Sequence, residues 1–173
     1  ISLANEINTI CDFYKVDSSK LFEITNMHPR VKYLKPSIGI GGHCIPIDPL
    51  FFNIKKKIKM IETSININQA LINKISEDII SKIKEDKKSN ILCLGITYKE
   101  NIDDLRESAA LKIIKNLRLK GVKLNIYDPY NSSLNTLNKT DLKKIKFDLK
   151  IYLVNHDKFK NLKIKARKSL DYR

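Results

Sequence analysis

Apolar positions recur at helical spacing through the first half of the chain and change to short continuous or alternating runs in the second. Leu3, Ile7, Ile10, Cys11 and Tyr14 predict a helix from Ile1 to about Tyr14, with no capping residue before it, so the chain reads as beginning inside a helix. Asp17 or Ser18 caps a second short helix through Asn26. His28-Pro29 ends it, because the residue before a proline avoids the helical region. Leu50 to Met60 reads as a short helix. A longer one follows with Ile61, Ile65, Ile72, Ile75, Ile79 and Ile83 on one stripe, a pattern that serves as core or as a dimer interface. Glu85 to Ser89 holds no apolar residue, and the domain boundary is placed there, giving a helical region over 1–86 and a second domain over 87–173.

Beyond that break the period shortens. Asn90 to Thr97 is an apolar run of strand length, Ser108 caps a helix through Lys120 that Gly121 stops, and Val122 to Tyr127 alternates as a second strand. This is one β-α-β unit, its strands parallel by the right-handed crossover. Phe147 to Val154 predicts a third strand, His156 to Leu162 a helical turn, and Lys168 to Tyr172 a short edge strand. Residues 131 to 146 are polar and Asn-rich and read as a poorly ordered connection without a clear helix. The expected fold is α/β: a helical central region followed by a small Rossmann-like domain with a parallel sheet.

At 173 residues, 42% hydrophobic and 30% charged, the chain can bury one ordinary core or two small ones. No apolar run is long enough to cross a bilayer, and no signal peptide is read at Ile1. Cys11, Cys44 and Cys93 are odd in number and form no C-x-x-C pair, which points to reduced thiols in a cytoplasm. His28, His43 and His156 do not combine with them at zinc-finger spacing, and no metal site is expected. The net charge of +14 is a lysine excess spread over every segment, without a nucleic-acid-binding motif, so no specific nucleic-acid partner is expected. A ligand carrying a diphosphate would use the same positive field.

Two segments carry candidate chemistry. The run Gly39-Ile40-Gly41-Gly42-His43-Cys44-Ile45-Pro46-Ile47-Asp48-Pro49 holds three glycines, a cysteine and a carboxylate four residues on, with two prolines to stiffen it. From the residues alone Cys44 is either a reactive thiol or a small apolar side chain buried in a structural turn, and the pattern offers it no basic partner. Cys11 and Cys93 read as core. The glycine run is not a dinucleotide fingerprint: it follows no strand, opens no helix and is closed by Pro46. The second segment, Thr97 to Ser108, joins the end of a strand to a helix start, where anions bind in α/β sheets, and Lys99 and Arg106 are donors suited to phosphate. A solvated loop with offsetting charges is the alternative.

ANEI at Ala4 to Ile7, HPRVKYLKPSIGIGGHCIPIDP at His28 to Pro49, and LGITYKENIDDLRES followed by VKLNIYDPY together resemble the UDP-glucose/GDP-mannose dehydrogenase family over nearly the whole chain. The GGHC-I-P-x-D-P form is most similar to the branch that oxidises UDP-N-acetylhexosamines. UDP-glucose members more often read GGSC or GGYC with a lysine where Ile47 stands. The resemblance implies two hydride transfers to NAD, with the loop cysteine forming a thiohemiacetal and then a thioester that water hydrolyses to a uronate. Cys44 would be that nucleophile and Asp48 the carboxylate that assists proton transfer. Tyr33, Leu34, Ser37 and Gly41 would line the substrate, Arg30 would reach a neighbouring subunit's site, and Lys99 would contact the nucleotide sugar. Arg106 would lie near the NAD pyrophosphate, and Arg173 would be a late substrate-binding arginine. The family's N-terminal NAD domain and the lysine and asparagine of its central helix are not in this sequence. The chain is therefore expected to be the C-terminal part of such an enzyme, inactive alone and paired as a homodimer through helices around 1–14 and 61–86. A non-catalytic UDP-sugar-binding or assembly module from a truncated or split gene is the alternative.

Overall fold

The computed structural model describes residues 1–54, 56–83, 90–134 and 136–172. Four helices come first: α1 (Ser2–Tyr14), α2 (Ser18–Thr25), α3 (Asp48–Phe52) and α4 (Lys59–Ile83). The second half runs β1 (Ile91–Leu94), α5 (Ala109–Leu119), β2 (Leu124–Tyr127), α6 (Lys139–Lys144), β3 (Phe147–Tyr152) and β4 (Ala166–Asp171), with a 3-10 turn at Asp157–Phe159. The α/β class expected from the sequence is the one observed. Its proposed boundary at Glu85 to Ser89 lies outside the described residues.

The helix ends follow local chemistry. Lys15, in the left-handed region at φ 56°, stops α1. The Asp17 carboxylate accepts from the Ser19 and Lys20 amides and starts α2. The helix expected over Leu50 to Met60 is shorter: Pro49 sits in the first turn of α3, and the chain turns at Asn53, whose side-chain oxygen accepts from the Ile58 amide at 2.6 Å. The connection before β3 also differs from expectation. Asn138 and Asp141 form a capping box that starts α6, and Leu142 anchors it at 1% exposure, so residues 138 to 144 are ordered by a cap and one buried leucine. β3 ends at Tyr152, short of the expected Val154, although the Leu153 amide still donates to the Leu94 carbonyl at 2.9 Å, and β4 starts two residues earlier than the pattern suggests.

The four strands are parallel in the order β2-β1-β3-β4. β1 is buried at all four positions, as its unbroken apolar run requires of a central parallel strand. Its alternate residues serve two layers. Ile91 and Cys93 join Ile126, Leu149, Ile151 and the helices α4 and α5; Leu92 and Leu94 face Tyr127, Leu142, Phe147 and Phe159. Burial pushes the Cys93 thiol up to about 12.

The isoleucine stripe of α4 divides along its length. Ile72, Ile75 and Ile79 are buried among β1, α5 and β3, whereas Ile65 is 37% exposed. Hydrogen bonds secure the same half of α4: Asn116 Nδ2 donates to Ser76 Oγ at 3.2 Å, and the Tyr172 hydroxyl donates to the Asp78 carboxylate, which also pairs with Lys82. Among the described residues no helix is long and apolar enough to cross a membrane.

Replacing Ile79, fully buried, with Ala is expected to lower stability by about 2–5 kcal/mol, measured by urea unfolding. Leu119→Ala on α5, 74% exposed, should change it by less than about 0.5 kcal/mol. Equal effects would show that the buried half of α4 is not part of the core.

Candidate active site

The segment from Tyr33 to Ile40 has no regular structure, and three asparagine side chains supply the partners its backbone lacks. Asn26 accepts from the Tyr33 amide at 2.6 Å and donates to the Tyr33 carbonyl at 3.0 Å. Asn5, on α1, accepts from the Ser37 amide at 2.8 Å. Asn68, on α4, accepts from the Ile40 amide at 2.7 Å and donates to its carbonyl at 3.4 Å. A carboxamide carries a donor and an acceptor in one plane, so it can replace a neighbouring strand.

The glycines then bring this segment against the loop after β1. A Cβ on Gly41 would lie 2.7 Å from Tyr98 Cβ and 2.9 Å from the Glu107 carbonyl oxygen. Gly42 has φ +84° and lies against the Tyr98 ring, while its amide donates to the Arg106 carbonyl at 2.9 Å. The two loops singled out from the sequence are thus in backbone contact. The physical reason for Gly-Gly is this close approach together with the left-handed turn at Gly42.

Cys44, two residues after Gly42, is exposed. It is not the small buried side chain of a structural turn. Its carbonyl accepts from the Ile47 and Asp48 amides at 3.1 and 2.8 Å, and this turn leads into α3, at whose first position Asp48 stands. Cys44 and Asp48, with Ile45, Pro49, Phe52 and Ile61, line one open cavity of about 450 Å³. Cys44 Sγ lies 3.3 Å from His43 Nδ1. This is a basic neighbour that the residue pattern did not suggest, although adjacency itself was the available signal.

Across the loop contact, Arg106 extends into solvent with 61% of its side chain exposed and is held by Asp104. Its Nε lies 3.0 Å from both carboxylate oxygens and its Nη2 2.5 Å from Oδ2. The Arg106 side-chain and backbone hydrogen bonds hold the Asp104 carboxyl at about 2. Lys99 is exposed in the turn that follows Thr97, whose hydroxyl donates to the Lys99 carbonyl at 2.8 Å.

The other expected site residues spread along the Asn-pinned segment. Tyr33 is half-buried with its ring 6.1 Å from Phe22, and Ser37 Oγ donates to the Gly39 carbonyl at 3.1 Å. Arg30 and Leu34 are exposed. Among the described residues no hydrogen bond or ion pair joins the side chains of Arg30, Tyr33, Leu34 or Ser37 to Cys44 or Asp48. Arg173 lies outside the described residues. Asn5, Asn26, Asn68, Asp128 and His156, which no motif marks for this purpose, position the loops. Among the described residues no group of three or more His, Cys, Asp or Glu could hold a metal ion.

Removing the guanidinium in Arg106→Ala is expected to return Asp104 from about 2 toward its ordinary 3.8, read by carboxyl ¹³C shifts during a pH titration. Because the folded value is the depressed one, the pair contributes above pH 3.8 and is lost as pH falls through about 2. An unchanged titration would mean that Arg106 does not hold the carboxylate in solution.

The sequence profile of the UDP-glucose/GDP-mannose dehydrogenase family central domain matches residues 1–74, and that of the family's UDP binding domain matches residues 92–171. UDP-N-acetyl-D-mannosamine dehydrogenase of Methanocaldococcus jannaschii is 38% identical over 163 residues, covering 93% of this chain and 38% of that protein. NDP-N-acetyl-D-galactosaminuronic acid dehydrogenase of Ralstonia solanacearum is 32% identical over 186 residues, covering 100% of this chain and 44% of that one. The solved structure of the UDP-D-ManNAc dehydrogenase of Pyrococcus horikoshii aligns with a TM-score of 0.84 at 29% identity, over 100% of this chain and 44% of that one. The chain therefore spans between 38% and 44% of the length of these relatives. With both domain profiles matched in order on a fold that solved relatives share, the chain belongs to the UDP-glucose/GDP-mannose dehydrogenase family.

Proposed function

We propose that this chain supplies the central region (1–86) and the nucleotide-sugar-binding domain (87–173) of an NAD-dependent UDP-N-acetylhexosamine 6-dehydrogenase. UDP-N-acetyl-D-mannosamine is the substrate favoured by the names of the relatives. The observation that carries the reading is the placement of an exposed thiol and a carboxylate on one cavity wall, joined through Gly41-Gly42 to the loop that presents Lys99 and Arg106.

In this reading Lys99 and, at the chain's end, Arg173 hold the nucleotide sugar by its anionic groups. Tyr33, Leu34, Ser37 and Gly41 shape the channel to the thiol, and Arg30 serves a neighbouring subunit. The oxidation of C6 from alcohol to carboxylate would use two NAD molecules in succession, each supplying the acceptor for one hydride. Arg106 is the cation here that fits the NAD pyrophosphate, being exposed and oriented by Asp104. The remaining NAD contacts belong to a domain that these 173 residues do not include. Between the two oxidations Cys44 Sγ adds to the C6 aldehyde, forming a C–S bond as its proton passes to the alkoxide oxygen of the thiohemiacetal. Asp48 assists that transfer. After the second oxidation water attacks the thioester, the C–S bond breaks, and the carboxylate leaves while Cys44 recovers its proton. Apolar side chains exposed on α1 and early α4, among them Ile10, Phe13 and Met60, support pairing of two copies through these helices. The unpaired thiols support a cytoplasmic setting.

In the full-length protein Cys44→Ala is expected to lower uronate formation by at least about a thousandfold, and Asp48→Asn by about a hundredfold or more. Both rates are followed as NADH absorbance with UDP-N-acetyl-D-mannosamine. The 173 residues alone should bind UDP and reduce no NAD. Unchanged turnover in Cys44→Ala would remove the nucleophile, and NADH formed by the isolated chain would overturn the division of the site.

A further inference from the structure

His156 is completely buried, yet it makes three polar contacts that link the ends of β1, β2 and β3. Its Nδ1 accepts from the Asn101 amide at 2.9 Å. That amide has a single proton, so Nδ1 carries none, and the neutral ring bears its proton on Nε2. Nε2 lies 3.0 Å from Asp128 Oδ2 and 3.2 Å from Thr97 Oγ1. The Thr97 hydroxyl already donates to the Lys99 carbonyl, so both oxygens facing Nε2 are acceptors.

Asp128 is a firm base for this link. Its carboxylate also accepts from the amides of Ile96 and Tyr130 at 2.8 Å and of Asn131 at 3.2 Å. Burial acts to raise this carboxyl, but the hydrogen bonds from His156, Ile96 and Tyr130 hold it below its ordinary value. The far end is equally determined. Asn101 sits at φ 60°, donates to the Asp157 carboxylate at 2.7 Å, and accepts from the Asp157 amide at 2.9 Å and the Tyr130 hydroxyl at 3.2 Å. Thr97 therefore fixes the backbone at Lys99, and His156 with Asp157 fixes it at Asn101. Lys99 itself stays exposed on the turn between them.

We propose that His156 is a positioning residue for nucleotide binding: through the Asn101 amide it fixes the Lys99 to Asn101 turn so that the Lys99 ammonium meets the diphosphate of the ligand. The proposal rests on the reading of Lys99 as a nucleotide-sugar contact. It separates two roles that a buried histidine combines, accepting from Asn101 and donating to Asp128. His156→Asn leaves an oxygen near the place of Nδ1 to accept from Asn101. His156→Gln leaves an amide N–H near the place of Nε2 to donate to Asp128, with no acceptor for Asn101.

UDP titrated by calorimetry into the native protein, His156→Asn, His156→Gln, Lys99→Ala and the double variant His156→Gln/Lys99→Ala tests the proposal. His156→Asn is expected to bind within about threefold of native, and His156→Gln and Lys99→Ala each about tenfold more weakly. Because one acts through the other, the double variant should lose less than about twofold beyond either single change. Losses that multiply, or a His156→Gln protein that binds as tightly as native, would overturn the proposal. ¹⁵N shifts of the native ring give a check that depends on no variant, since an Nδ1–H tautomer would also overturn it. Failure of the native protein to bind UDP would sink the parent reading and this inference with it, whereas native binding with additive losses sinks this inference alone.

Discussion

The backbone of Gly41-Gly42 lies directly on Tyr98 and the Arg106 to Glu107 peptides, and the candidate site exists because of that contact. A side chain at Gly41 would need space already filled by a backbone carbonyl, which cannot move aside as a flexible side chain can. The contact sets the Cys44 loop against the loop that follows β1. Residues more than fifty positions apart in sequence are thereby brought into backbone contact.

Support for this contact comes from both halves. On one side, Asn26, Asn5 and Asn68 carry the loop backbone on α2, α1 and α4. On the other, Asp128 and His156 carry the turn after β1 on the ends of β2 and β3. Each support uses side chains that satisfy backbone groups, because neither loop has a sheet or helix to do so. Buried hydrogen-bond networks of this kind are costly when incomplete, which favours a single arrangement of the loops.

The elements that were legible in the sequence are those in which local chemistry and tertiary environment agree. Asp17 caps α2, Ser108 caps α5, and the run at Ile91 to Leu94 is a buried strand. The departures occur where a short-range device outweighs composition. Leu142 is the only buried residue of α6, so hydrophobic periodicity could not announce that helix, whereas its Asn138 and Asp141 capping box could. The glycine loop and the Thr97 to Ser108 loop were both legible as chemistry, but their contact was not. Glycine spacing reports close approach without naming the partner. His43 was legible as a sequence neighbour of Cys44, but its ring contact with Sγ was not, since neighbours in an extended chain ordinarily point apart.

Asparagine shows why composition alone misleads here. In an Ile- and Lys-rich chain its abundance resembles background, yet Asn26 and Asn68 each use donor and acceptor together on the N–H and C=O of one residue. An aspartate would keep the acceptor and oppose the carbonyl, and a leucine would leave both peptide groups without partners. The same helix that offers Asn68 to the loop also buries Ile72, Ile75 and Ile79 beside β1 and α5. One side of α4 thus fixes the thiol loop while its next turns enter the core of the sheet. The site is consequently no more stable than that core: loosening α4 on the sheet would move Asn68 from Ile40 and, on the same helix, Ile61 from the cavity wall.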